Sequence, residues 1–171
     1  MISNELMSSR PRLSIPLSGV DRMVEYLGWL MILALWLWVA LVYRQLPEAI
    51  PIHFGLTGEP DAFGAKRALL VLPGVATLLF VGLKIAGGFP HFFNYPVKID
   101  AGNALKHYTI ATRLLRFMRL AVALIFFGIV ILTTLTALHR LSGLGLWFMP
   151  AAFGAIFVPM LIYLLKAKAK V

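Results

Sequence analysis

A chain of 171 residues with 60% hydrophobic and 13% charged residues, and a mean hydropathy of +0.86, cannot cover its surface with polar groups. Part of that surface must meet lipid. The formal net charge of +9 comes without any RNA- or DNA-binding motif and reads as membrane topology and attraction to anionic headgroups, so nucleic acid is not an expected partner; the lack of cysteine excludes disulfides, zinc–thiolate sites and cysteine nucleophiles.

Residues 1–17 contain Arg10, Pro11, Arg12 and Pro16 and show no apolar periodicity, which predicts a flexible tail. They lack the apolar core and small-residue cleavage site of a secretory signal. Ser18 and Asp21 have the spacing of a helix start. From Tyr26 to Tyr43 there are 18 residues without a charge. At about 1.5 Å each they nearly cross a hydrocarbon core of about 30 Å. Trp29, Trp36 and Trp38 suit interfacial anchoring in part, and Pro47 stops the helix by removing an amide donor.

A second span covers Ala68 to Leu83, with Arg67 and Lys84 expected to snorkel at its ends. The connector over 87–100 carries Pro90 and Pro96, which forbid a continuous helix, and Phe89, Phe92, Phe93 and Tyr95, which suit the headgroup level. Asp100 is expected to cap an amphipathic helix. Ala104, Tyr108, Ile110, Leu114, Leu115 and Met118 share one of its faces, and Lys106, Arg113, Arg116 and Arg119 the other. That pattern predicts a helix lying on the membrane surface before the chain turns inward. Leu120 to Leu138 forms a third uncharged span, and a fourth from about Leu144 to Leu165 contains Pro150 and Pro159.

The expected fold class is therefore all-α integral membrane, a single domain over 18–166 with transmembrane helices at about 24–45, 67–86, 117–138 and 144–165. An ordered extracytoplasmic loop joins helices 1 and 2, an amphipathic cytoplasmic segment precedes helix 3, and a basic tail occupies 167–171. With four spans both termini share a side. That side carries twelve Lys and Arg residues, and the other carries four, Arg44, Lys66, Arg67 and Arg140. The positive-inside rule places the richer side, and both termini, in the cytoplasm. No span has a charge at its centre, which argues against proton-coupled transport; Thr77, Thr133, Thr134 and Thr136 are the main polar groups inside.

The chemistry concentrates between Leu46 and Arg67. Gly55, Gly58 and Gly64 permit turns, and Pro47, Pro51 and Pro60 hold extended corners, so the loop reads as a rigid cap with Ile50, Ile52, Phe54 and Phe63 toward apolar surface. Such a cap is a candidate ligand- or partner-binding loop through His53, Glu59, Asp61 and Lys66. His53, Glu59 and Asp61 are also ordinary metal ligands, but their spacing matches no established site, and hydrogen bonding to loop backbone is the favoured reading. Lys66 and Arg67 are expected to pair with Glu59 or Asp61, or to bind an anionic ligand. No cofactor or metal is expected.

The pattern of Leu46, Pro47, Ile50, Pro51, His53, Phe54, Gly58, Asp61, Gly64 and Lys66 resembles the domain of unknown function at the N-terminus of bacterial SdpI-like immunity proteins. A second match, to longer members of that family, is Asn94, Tyr95 and Pro96 followed by Asn103, Tyr108 and Arg113 on a basic helix. Together the two cover roughly 26–127. The resemblance implies a multi-spanning protein of a bacterial cytoplasmic (inner) membrane. SdpI-like proteins protect a cell from a secreted toxin and relay its presence to a membrane-tethered regulator. Their further C-terminal membrane domain is not expected here, since one more pair of spans ends the chain.

The leading functional expectation is a non-enzymatic membrane protein of immunity or signal-sensing type, whose outer loop binds an extracytoplasmic peptide, a lipid or a partner membrane protein. One alternative is an accessory or structural subunit of a larger membrane complex. Another is a membrane-embedded metal-dependent enzyme using His53, Glu59 and Asp61.

Overall fold

The computed structural model describes residues 10–168. These residues hold four helices long and apolar enough to cross a membrane.

The first helix, α1 (Gly19–Val42), starts where Ser18 and Asp21 exchange hydrogen bonds. The Asp21 amide donates to the Ser18 hydroxyl at 3.2 Å, and the Ser18 amide donates to the Asp21 carboxylate at 3.0 Å. A cap of this kind contributes about 1 kcal/mol by satisfying amides that have no partner within the helix. The buried positions Val24, Gly28, Ile32, Leu35, Val39 and Val42 recur every three or four residues and form one stripe.

After a 3-10 turn over Tyr43–Gln45 the chain forms an antiparallel hairpin of β1 (Ala49–Phe54) and β2 (Pro60–Ala65). The sequence reading treats this stretch as an ordered loop without strands. The prolines and glycines that suggest a loop are compatible with a two-stranded ribbon, because both of its strands are edges. Pro51 sits opposite Phe63, and the register shifts on either side of His53, as in a bulge.

A 3-10 turn over Lys66–Leu70 leads into α2 (Val71–Gly87). Pro73 lies in its first turn, where no helical amide bond is lost. The connector carries one more 3-10 turn, Pro90–Phe92, before α3 (Ala104–Ala137) and α4 (Phe148–Lys168).

The third helix departs from expectation. The amphipathic segment and the third span are one continuous helix of 34 residues. No proline or glycine interrupts it before Gly128. At about 1.5 Å per residue it is about 51 Å long, some 20 Å more than a hydrocarbon core. It is long and apolar enough to cross a membrane with residues to spare, and the expected surface segment is the first part of this one helix. Asp100 does not cap this helix directly. Its side chain accepts from the Gly102 and Asn103 amides at 2.9 and 3.0 Å, and the helix begins at Ala104. The fourth helix starts at Phe148, later than about 144, because Gly145 takes a positive φ of 77° and holds a turn.

The long helix α3 is the hub. It packs against α1, α2 and α4, whereas α1 and α2 touch each other much less. The core brings Ile32, Leu35 and Val39 of α1 and Ala76 and Phe80 of α2 against Ala123 and Val130 of α3. Small side chains on α3 let the helices approach, which is how helices associate in lipid, where burying apolar surface brings little advantage. At Gly28 an added Cβ would lie 2.7 Å from the Phe80 ring, so the ring occupies the space of the missing side chain. Trp38 donates to the Thr134 hydroxyl at 3.1 Å and Trp36 to Thr77 at 3.0 Å, tying the helices together by polar bonds.

The tail is docked from Arg10 onward. Arg10 donates to the carbonyls of His91 and Phe93, and Ile15 packs against the cluster of Ile99, Ala104 and Tyr108. The rest of the expected flexible tail, 1–9, and most of the basic C-terminal tail lie outside the described residues.

Candidate functional site

The hairpin is fastened to the helix ends at two places. At its base, the Lys66 amide donates to the Glu48 carbonyl at 2.9 Å, and the Lys66 ammonium meets the Glu48 carboxylate at 3.0 Å. Lys66 thus pairs with Glu48, not with Glu59 or Asp61 as expected. Its Nζ also lies 5.6 Å above the Tyr43 ring. At the tip, the Leu144 amide donates to the Gly58 carbonyl at 2.7 Å, which locks the hairpin to the α3–α4 loop. Gly58 has a φ of 80°, and a Cβ there would lie 2.6 Å from the Gly145 nitrogen. Only glycine meets both conditions.

Between these anchors, His53 and Asp61 come together across the strands, with Nδ1 and Oδ1 2.5 Å apart. Their side chains are 70% and 51% exposed, so this pair faces outward. Glu59 contributes its carbonyl, which accepts from the Gly55 amide at 2.9 Å. Among the described residues no group of three or more His, Asp or Glu side chains is placed to hold a metal ion.

The remaining loop residues have scaffold positions. Pro51 is buried, Pro47 is exposed, and Gly64 pairs with Ile50 beneath the Ile52 side chain. Phe54 is half-buried and, with Ile50, Leu69, Ile129 and Thr133, lines an apolar cavity of about 310 Å³ between hairpin and helices.

At the opposite end, Asn94 and Pro96 are exposed while Tyr95 turns inward. The Tyr95 ring packs against Tyr108 at 5.7 Å and His107 at 6.3 Å, the Arg10 guanidinium lies over it, and its hydroxyl donates to the Pro90 carbonyl at 2.9 Å. Burial pushes its phenol well above the usual range. Asn103 accepts from the Asp100 amide at 3.0 Å and donates to the Lys98 carbonyl at 2.9 Å, closing the connector. These contacts shape the connector. Tyr95→Phe is accordingly expected to lower stability by about 0.5–1.5 kcal/mol through one lost hydrogen bond. Thermal unfolding in detergent checks it, and an unchanged midpoint would show that Pro90 finds another donor.

Arg113 is engaged with another helix. Its Nε and Nη2 donate to the two oxygens of Asp21 at 2.9 and 3.0 Å, a forked pair across α1 and α3. Arg116 lies 3.6 Å from Asp21 and 4.0 Å from Glu25, and Arg119 bonds to Glu25. Lys84 of α2 reaches Glu25 at 3.0 Å and stacks over Trp29 at 5.1 Å. Three of the four bases of the expected basic face, Arg113, Arg116 and Arg119, therefore belong to an ion-pair cluster between helices in which Arg116, Arg119 and Asp21 are largely buried, while Lys106 is exposed. Sequence reasoning overlooked Glu25 and used Asp21 only as a cap. The available signal was two acids four apart on one helix, matching three bases spaced three apart on another.

Residues 30–77 match the model of a domain of unknown function, DUF1648. The match runs from α1 through the hairpin into α2. An uncharacterized protein of Archaeoglobus fulgidus is 38% identical over 89 residues, which is 47% of this chain and 49% of that protein. The chain spans about half the length of this curated relative. No solved structure matches. The four apolar helices make this a multi-pass membrane protein by length and composition.

Proposed function

We propose that this is a non-catalytic membrane protein whose hairpin lies outside the cell and binds an extracytoplasmic polypeptide. One observation carries the reading: a hairpin fastened at base and tip leaves apolar side chains uncovered around a paired His53 and Asp61. Leu56 at the tip is 97% exposed and Phe63 on β2 is 61% exposed. A rigid surface loses little conformational entropy on binding, and apolar side chains that are covered contribute about 25 cal/mol per Å². Strand β2 packs chiefly on β1, and its other edge can accept an extended chain by strand addition.

The outward orientation rests on the excess of Lys and Arg at the opposite end of the bundle. The likeness of the hairpin sequence to SdpI-like proteins supports an immunity or sensing role. The native chain has no cysteine, so a single cysteine at Leu56 is an unambiguous probe. Leu56→Cys is expected to react with a membrane-impermeant maleimide added to intact cells. A photo-crosslinker at Phe63 is expected to give one discrete adduct that His53→Ala/Asp61→Ala/Leu56→Asp abolishes without changing thermal stability. Labelling only after lysis would overturn the orientation, and an adduct indifferent to the triple substitution would overturn the binding role.

A second reading, an accessory subunit, is favoured by α4. Only 6% of its spanning window is buried, and it packs mainly on α3. Purification in mild detergent separates the two: a stable stoichiometric complex through α4 supports the subunit reading, and an isolated chain opposes it.

A further inference from the structure

The end of the bundle opposite the hairpin holds a cavity of about 380 Å³, within the size range of small-molecule sites. Its polar wall is Glu25, Lys84, Thr112, Arg116 and Arg119, and Leu83 and Leu115 form part of its apolar wall. The charges there do not balance. Two carboxylates face four cations: Lys84 and Arg119 pair with Glu25, Arg113 forks onto Asp21, and Arg116 lies between the two acids, 3.6 Å from Asp21 and 4.0 Å from Glu25.

The donors do not balance either. A guanidinium carries five N–H groups, and a carboxylate cannot accept all those offered here. Arg119 has only 4% of its side chain exposed, and its Nη1 has no hydrogen-bond partner. The Phe80 ring lies against the same guanidinium at 5.0 Å. A buried N–H left without an acceptor is unfavourable, and a second anion beside Glu25 can accept from it. Phosphate oxygens accept from arginine in the same forked manner as carboxylates, with more acceptor positions. Given the length of α3, this level is also where its projecting part leaves the hydrocarbon and headgroup phosphates reside.

We propose that this cavity binds a phosphate group, carried either by the headgroup of an anionic membrane lipid or by a phosphate compound from the aqueous phase. Glu25 is the internal anion that orders the three cations, and Thr112 supplies a hydroxyl beside Arg116, 3.5 Å from its Nη1. The proposal is independent of the hairpin's role.

The test uses the whole chain, stripped of lipid in a neutral detergent, and reads the thermal midpoint. One arm adds inorganic phosphate against chloride at matched ionic strength. The other adds phosphatidylglycerol against diacylglycerol, which lacks the phosphate. The midpoint is expected to rise in at least one arm, and the responding arm identifies the source of the phosphate. Lys84→Gln, at a half-exposed position, and Arg116→Gln are each expected to weaken that response on the order of tenfold, the effect of losing one charged hydrogen bond. Lys98→Gln, on the exposed connector, is expected to leave it unchanged. No rise in either arm, or a response in Lys84→Gln equal to that of the native chain, would overturn the site. So would an equal loss in Lys98→Gln, which would mark general attraction between a basic protein and an anion.

Discussion

Asp21→Ala is expected to destabilise the detergent-solubilised protein by about 3–5 kcal/mol, the range for removing one member of a buried ion pair. The carboxylate is 2% exposed and accepts four hydrogen bonds: two from Arg113 and two from the amide and hydroxyl of Ser18. Losing it removes the α1 cap and strands Arg113 and Arg116 in the same step. Arg113 retains 40% exposure and can turn partly to water, which favours the lower part of the range. For a chain of this size each kcal/mol moves the midpoint by about 2–4 °C. The pair Asp21→Ala/Arg113→Ala is expected to regain part of the loss, because it removes the stranded charge along with its partner. A double variant no more stable than the sum of the two single variants predicts would show that Asp21 acts as a cap alone.

Gly58→Ala is expected to cost about 2–4 kcal/mol, combining a strained positive φ with overpacking against Gly145. The first casualty is the bond from the Leu144 amide to the Gly58 carbonyl, since the added methyl occupies the space of the neighbouring loop. Hydrogen exchange at Leu144 should therefore accelerate together with the fall in midpoint. Gly74→Ala on α2 is the matched control. A Cβ there meets nothing within 4 Å, and alanine is the better helix former by about 0.5–1 kcal/mol. Equal behaviour of the two variants would mean that the hairpin tip is not held by the α3–α4 loop. The prediction bears on function as well, because a hairpin freed at its tip would have to be ordered again by any partner.

The hairpin shows how a site can be half legible. The concentration of glycine, proline and ionisable residues between Leu46 and Arg67 marks it as ordered, and His53 and Asp61 do meet. The strands were not legible, because Pro51 and Pro60 break the usual strand pattern and the bulge at His53 disrupts the alternation of faces. The partner of Lys66 was missed for a similar reason. Antiparallel pairing of Ala49 with Ala65 brings Glu48 alongside Lys66, whereas distance along the chain favours the nearer acids.

What the amino-acid sequence determined alone is the environment. Uncharged runs of sixteen to twenty-two residues are matched to the thickness of a bilayer, and this matching is a local property that needs no partner. The number of apolar helices, the start of α1 at Ser18 and the stop before Pro47 follow from residues within a turn of one another. Tertiary structure decided what the charges do. The helical period places Arg113, Arg116 and Arg119 on one side of α3, but it does not say whether that side meets lipid headgroups or another helix. Packing α1 and α2 against α3 brings Asp21, Glu25 and Lys84 to the same level and converts a basic stripe into an ion-pair cluster with a cavity beside it. The energy of a charge depends on what surrounds it within a few ångströms, and the acids that pair with these arginines lie more than 90 residues away along the chain.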